Sequence, residues 1–295
     1  MKKIKSADQL TAMILSYIII SFMAILCLMP FILVISGSFT SNEAILRSGF
    51  GLIPSEFSWE AYAYAFRKPG EILNAYKVTI IVTLTGTAVS VYLSSMSGYV
   101  LTRPEYRHRN KVAFFFFFTT IFSGGLVPWY VLCVKYLHFK EMPYMALILP
   151  MLMNFFYIVI LRSFISNIPE SIIDSARIDG AGDYCIYRKF IIPMSKAAIA
   201  TVVLFTAMGY WNDYFNPMLF VTKAKYHPLQ YYLYQIISKM QSINSQMMNS
   251  AGSMEYPSEA FKMAMTVIAT GPIVLVYPFI QKYLVKGVTV GAVKG

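Results

Sequence analysis

Residues 168–193, IPESIIDSARIDGAGDYCIYRKFIIP, form the longest polar interruption on their side of an otherwise apolar chain. Pro169 suits the first position of a helix, where a missing N–H costs nothing, with Ser166 or Asn167 before it as N-cap. Glu170 then stands at the positive end of the helix dipole. The helix is expected to run through Asp174 and Ala176, with Ile172, Ala176 and Asp179 at i, i+4 and i+7 on one face. Gly180 and Gly182 can take positive φ without Cβ strain, so the helix is expected to end and the chain to reverse there. A second short helix leads to Pro193, where the next apolar segment begins. A helix, a glycine corner and a helix between two apolar segments make a knob shaped for another protein's groove.

Composition supplies the setting. The chain has 295 residues, 57% hydrophobic and 13% charged, with a mean hydropathy of +0.56. A soluble domain carries about 25% charge, so this composition reads as an integral membrane protein. Cys27, Cys133 and Cys185 are far apart and offer neither a disulfide framework nor metal-ligand spacing. Met1–Lys5 could pass for the basic start of a signal peptide, but the long apolar run after it ends at Pro30 without a small-residue cleavage site, which reads as an uncleaved first span.

Six apolar segments stand out, at Thr11–Ser36, Val78–Leu101, Val112–Val134, Tyr144–Leu161, Ala197–Val221 and Phe261–Ile280. Each is near the ~20 residues that cross ~30 Å of hydrocarbon as a helix. The expected fold is therefore all-α and polytopic, with six transmembrane helices. With the N-terminus inside, fifteen of the 25 Lys and Arg fall on the cytoplasmic side and ten outside. The cytoplasmic loops are also short, so the density difference supports this orientation, with both termini cytoplasmic. The net charge of +11 is then mostly topology and no argument for nucleic acid. Two outer loops are long. Gly37–Lys77 carries Pro54, Trp59, Tyr62, Tyr64 and Phe66 and is expected to fold against the outer membrane face. In Thr222–Ala260, Leu229, Leu233, Ile236, Ile237 and Met240 mark a helix, and the polar tail Ser242–Pro257 reads as flexible.

Apart from Asp213 and Lys262, the six segments contain no Asp, Glu, Lys, Arg or His. Ion-coupled carriers keep ionisable residues in the bundle, so an autonomous secondary carrier is disfavoured. There is no G-x-x-x-x-G-K-[ST] phosphate loop, no catalytic set at membrane depth and no metal cluster; His108, His138 and His227 all sit in loops, where surface roles are expected. Ser90, Ser94 and Gly98 at four-residue spacing suit close helix packing. At the outer end of the fifth segment, Tyr210-Trp211-Asn212-Asp213-Tyr214-x-Asn216 replaces aliphatic side chains with rings and hydrogen-bonding groups. That chemistry suits sugars, whose apolar faces are edged by hydroxyls, and makes these six residues candidates for a substrate path or gate. The competing reading is an interfacial aromatic belt with Asn212 and Asp213 capping a helix end.

The knob also carries a likeness. Asp174-Ser175-Ala176, then Gly180 after three residues, then Phe190-x-Ile192-Pro193 after nine more, resembles the EAA loop of ABC importer permeases, with Asp for Glu at 174, Ser for Ala at 175, Phe for Ile at 190 and Ile for Leu at 192. Gly98-Tyr99-x-Leu101-x-Arg103, Phe122-Ser123-Gly124-Gly125-Leu126-x-Pro128, Trp211-Asn212-Asp213 and the tail from Lys286-Gly287 to Gly291-Ala292-Val293-Lys294-Gly295 are similar to the carbohydrate-uptake, MalG-like branch of that family, especially its LplC/YtcP-like members. The resemblance implies a type I ABC importer permease fold, with residues 1–10 as a cytoplasmic N-terminus and 11–295 as the transmembrane permease domain. It implies half of a pore in a bacterial plasma membrane, without a cofactor or an ATPase site of its own. Its implied partners are a second homologous permease, two ATPase subunits, an extracytoplasmic solute-binding lipoprotein, a carbohydrate substrate and membrane lipid. Glu170, Asp174, Ala176, Asp179 and Gly180 would then couple to the ATPase. By the same likeness the Thr222–Ala260 loop would enter the binding protein's cleft, and the tail from Lys286 would reach toward the ATPases. A permease for a peptide or polyamine, and less readily an ion-coupled carrier, are the alternatives.

Overall fold

The computed structural model describes residues 7–247 and 259–275. Among these the backbone is helical, with no strand and one isolated bridge between Thr40 and Phe57. In chain order the helices are α1 (Ala7–Ser38), α2 (Asn42–Ser48), α3 (Glu60–Ala65), α4 (Pro69–Thr102), α5 (Arg109–Ile121), α6 (Leu126–Val131), α7 (Pro143–Ile148), α8 (Phe155–Ile165), α9 (Glu170–Ile178), α10 (Asp183–Ile186), α11 (Ile192–Met194), α12 (Lys196–Trp211), α13 (Phe215–Phe220) and α14 (Leu229–Met247). A further helix occupies 259–275.

Among the described residues two helices are long and apolar enough to cross a membrane unbroken, Leu10–Ser38 and α4. Three more spans would be bent pairs: α5 with Leu126–Tyr136 at 112°, Pro143–Met151 with α8 at 52°, and Asp183–Met194 with α12 at 83°. The apolar segments Val112–Val134 and Tyr144–Leu161 are therefore not single straight helices, and the fifth segment's main helix stops at Trp211. Each break has a local cause. Gly125 at φ +87° turns the corner after Ser123-Gly124, its N–H accepted by the Ser123 hydroxyl at 3.3 Å. Asn154 caps α8, its Oδ1 accepting from the Phe156 N–H at 2.9 Å. Pro193 has no N–H to continue the ladder, and it follows a π-helical turn at Tyr187–Ile191. The sixth apolar segment leaves the described residues after 275, as do the C-terminal tail and residues 1–6, 248–258 and 276–280.

The chain divides into two compact units. In the first, residues 1–69 with 236–271, the expected loop folds as α2 and α3 over an aromatic cluster of Phe39, Phe57, Trp59 and Tyr62. Ile45 and Ala61 pack with Ala260 and Ala264. Most of α1 is exposed apolar surface. The stripe read around Leu229 and Leu233 is a helix as expected, and α14 extends to Met247, into the stretch read as a flexible tail.

The described residues of the second unit are 70–235 and 272–275. Its spine is α4, where Gly86, Ser90, Ser94 and Gly98 repeat every four residues and face neighbours. A Cβ on Gly98 would lie 3.1 Å from the Arg162 backbone nitrogen and 3.4 Å from the Ile158 carbonyl, so α4 and α8 meet there almost backbone to backbone. At Gly86 a Cβ would lie 2.6–2.8 Å from Tyr210 ring atoms. The main core joins Tyr99 of α4, Leu161 and Ile165 of α8, Ile173 and Ala176 of α9, Tyr187 and Ile191, and Ala198 and Val202 of α12. His227, read from sequence as a surface residue, is buried instead, its ring 4.7 Å from that of Tyr231.

Candidate functional site

The knob forms as α9, a glycine turn and α10. Pro169 is the N-cap rather than the first helical residue: its ring fixes φ at −57°, which suits either place, but ψ of 130° is extended, so the first helical position passes to Glu170. The helix closes by a Schellman arrangement: the Ala181 N–H donates to the Ala176 carbonyl and the Gly180 N–H to the Arg177 carbonyl, both at 2.9 Å. That closure needs the left-handed φ of +79° at Gly180. Gly182 does not share it, lying at φ −70° as the extended N-cap of α10.

The inward face of α9 is Ile173 and Ala176, both buried; of the residues aligned on one face in the sequence, Ala176 is buried, Ile172 half-buried and Asp179 exposed at the helix end. Burying an isoleucine is worth roughly 1.5–3 kcal/mol, enough to seat so short a helix on the core. Glu170, Asp174, Asp179 and Gly180 are exposed. Ile178, not singled out from sequence, is 86% exposed at the tip, an apolar side chain offered to solvent. Its position five residues after the buried Ile173 could have flagged it.

A clamp fixes the knob from the side. The Arg177 guanidinium donates to the Glu105 carboxylate, in the loop after α4, and to Asp183 Oδ1 at 3.4 Å. The hydrogen bond from Arg177 holds the Glu105 carboxyl below the usual carboxylate range. Beneath it the Tyr187 hydroxyl meets the Ser95 hydroxyl at 2.6 Å, tying the strand of chain after the knob to α4. No sequence pattern announces pairings across such separations.

The second candidate region, at the end of α12, is a corner. Tyr210 is buried against Gly86, and its hydroxyl donates to the Ile148 carbonyl at 2.9 Å. Asp213 Oδ1 accepts from the Phe215 and Asn216 N–H groups, each at 3.1 Å, and Oδ2 accepts from the Asn216 amide at 2.9 Å. Asp213 thus caps α13. Asn212 is exposed, its Oδ1 accepting from Gln230 at 3.3 Å, while Trp211 is half-buried. The Tyr214 ring stacks on Tyr234 at 5.4 Å, and Tyr234 runs nearly parallel to Tyr231 at 6.4 Å. The corner therefore gathers Asn212, Gln230 and three tyrosines; Tyr231, Tyr234 and Gln230 come from α14 and were not singled out from sequence.

Comparison with known proteins follows this geometry. Residues 91–290 match the model of the family described as binding-protein-dependent transport system inner membrane component. The chain is 42% identical over 272 residues to the polygalacturonan/rhamnogalacturonan transport system permease protein YtcP of Bacillus subtilis (strain 168), covering 92% of this chain and 94% of that one. It is 37% identical to Protein LplC of the same organism, covering 91% and 90%. Among solved structures, a chain from a bacterial ABC transporter involved in the import of the acidic polysaccharide alginate superposes with a TM-score of 0.78 at 26% identity, covering 96% of this chain and 99% of that one.

Proposed function

Since this chain belongs to the family of binding-protein-dependent transport system inner membrane components, we propose that it is one permease subunit of an ATP-driven importer for oligosaccharides. It supplies half of a translocation pore, pairs with a second homologous permease, and leaves ATP hydrolysis to two partner ATPases. An extracytoplasmic binding lipoprotein delivers the sugar. Six spans follow if each bent pair counts as one and the helix from 259 continues as the sixth. The orientation is the one that puts the knob and both termini in the cytoplasm of a bacterial plasma membrane.

The observation that carries this reading is the knob: a short helix packed firmly at Ile173 and Ala176, closed by Gly180, with Asp174, Ile178 and Asp179 left exposed. Glu170, Asp174, Ala176, Asp179 and Gly180 form its coupling surface, Ala176 from beneath. The path or gate lies at the corner, where Trp211, Asn212, Tyr214 and Asn216 face the sugar and Tyr210 and Asp213 hold the turn. YtcP and the alginate transporter are both named for acidic polysaccharides, so uronate-bearing oligosaccharides are the first substrates to try.

Co-purification tests the assignment: a complex holding this chain, one further permease and two ATPase copies is expected. Recovery of the chain alone, with transport intact, would refute it. Labelling from outside intact cells should reach Lys223→Cys and not Arg107→Cys; the reverse pattern would invert the topology.

A further inference from the structure

Beside the knob, where α4 and α8 end and α5 begins, the second unit has an open surface cavity of about 280 Å³. At about 30 Å³ per water, it holds several waters or one bulky polar group. Arg103, Arg109 and Arg162 line it, and Glu170 is the one carboxylate among the lining residues. All three arginines are half-buried. Arg103 Nε and Nη2 both reach the Thr102 hydroxyl at 3.2 Å, while its Nη1 is buried without an acceptor. Arg103 also lies over the Tyr99 ring at 5.0 Å, which holds it in place without neutralising it. Neither Arg109 nor Arg162 forms an ion pair among the described residues, and the nearby Glu105 is engaged by Arg177. The C-terminal dipole of α8 favours a cation at Arg162 but leaves its outer donors open.

Three partly desolvated guanidinium groups facing one space stay in net positive excess with Glu170 counted against them, and an anion that joins them relieves their repulsion. Guanidinium forks match phosphate oxygens with paired hydrogen bonds. The surroundings narrow the source. The cavity sits where apolar helices end, and about one and a half to two and a half turns along α5 from Arg109 come Phe114, Phe115, Phe117 and Phe118, all exposed. A ligand with a phosphate at the arginines and hydrocarbon along the phenylalanines satisfies both surfaces. From this we infer that the cavity binds the phosphodiester headgroup of an anionic membrane phospholipid, held by the three arginines, which outnumber the one carboxylate, Glu170, on its wall. The inference rests only on the membrane assignment of these helices, which successful reconstitution tests separately.

The test uses the complete transporter in lipid nanodiscs of phosphatidylcholine with about one-third phosphatidylglycerol, a share at which anionic lipid dominates the surface potential. Lipids retained after extraction into detergent are counted by native mass spectrometry. At least tenfold preferential retention of phosphatidylglycerol is expected, falling fivefold or more in Arg109→Gln and in Arg162→Gln. Should Arg162→Gln fail to assemble, Arg109→Gln, at the first residue of α5, decides alone. Equal retention of the two lipids, or retention unchanged in the variants, overturns the inference. Displacement of phosphatidylglycerol by millimolar inorganic phosphate would make the ligand a free anion and overturn the lipid assignment. So would an ATPase carboxylate trapped at Arg109→Cys by crosslinking while no lipid is retained.

Discussion

At the knob, Asp174 and Asp179 carry exposed carboxylates, Ile178 is nearly bare, and the ordered contacts lie beneath, at Ile173 and Ala176. At the 210–216 corner the arrangement is inverted: Asp213 fills both oxygens with α13, Tyr210 gives its hydroxyl to Ile148, and Asn212 already accepts from Gln230. The two regions looked alike in sequence as polar patches beside apolar segments. Their difference lies in where the hydrogen-bonding capacity goes. A surface awaiting a partner keeps its polar groups and one apolar tip open over a packed base. A corner that must hold its own shape near lipid satisfies its groups internally, because each one left unpaired there is costly.

Variants can break this contrast, and the largest effect should come from the corner. A Cβ at Gly86 enters the Tyr210 ring, so Gly86→Val should abolish accumulation of assembled complex; near-normal complex yield would mean that Tyr210 has room to move and does not anchor the turn. Gly180→Val comes next. It forces a branched residue into the left-handed region at a cost of about 1–2 kcal/mol, and the reversal at the knob is distorted while the core is untouched. Transport should fall at least tenfold with membrane levels maintained, and Asp174→Ala should act in the same direction; full transport in both would remove the coupling role.

Smaller effects sharpen the picture. Trp211→Ala and Asn212→Ala should lower uptake several-fold while assembly and binding-protein docking persist, measured as sugar uptake in vesicles beside complex yield. Loss only through failed assembly would leave the corner purely structural. The weakest effect concerns acid. Since the Glu105 carboxyl is held low by Arg177, the pair contributes at neutral pH and is lost as pH falls through that lowered value. The group is largely exposed, so the loss is expected to stay below about 1 kcal/mol. The thermal midpoint of the complex should drop slightly more between pH 7 and pH 4 in wild type than in Glu105→Gln; identical drops would show the clamp to be idle.

The knob was readable because its determinants are local: a proline start, a glycine with positive φ, and polar residues flanked by apolar runs. Which face α9 buries was not readable, since Ile172 and Ile173 are equally apolar and only packing in the core with Leu161 and Tyr187 separates them. The number of apolar segments was visible, but their bends were not. Hydropathy is blind to direction, and the Phe122–Gly125 stretch is as compatible with a straight helix as with a 112° corner until its backbone is traced. The arginine cavity, the Tyr214–Tyr234 stack and the Arg177 clamp depend on residues far apart in the chain, so no window of sequence contains them.

The π-turn and Pro193 have a mechanical consequence. The chain runs from the knob through α10 and α11 into an 83° elbow at Ser195 and then along α12 to the corner. At 1.5 Å per residue the sixteen residues of α12 make a lever arm of about 24 Å. A tilt of about 10° about the elbow would carry the Trp211 end through roughly 4 Å, on the scale of a side chain. If the knob couples to a partner as proposed, small displacements there would be geared up into side-chain-sized movements at the 210–216 corner. Spin labels at Asp174 and Asn212, read with and without bound nucleotide on the ATPases, would register this gearing as a change in their separation, and an invariant distance would mean that the elbow is rigid.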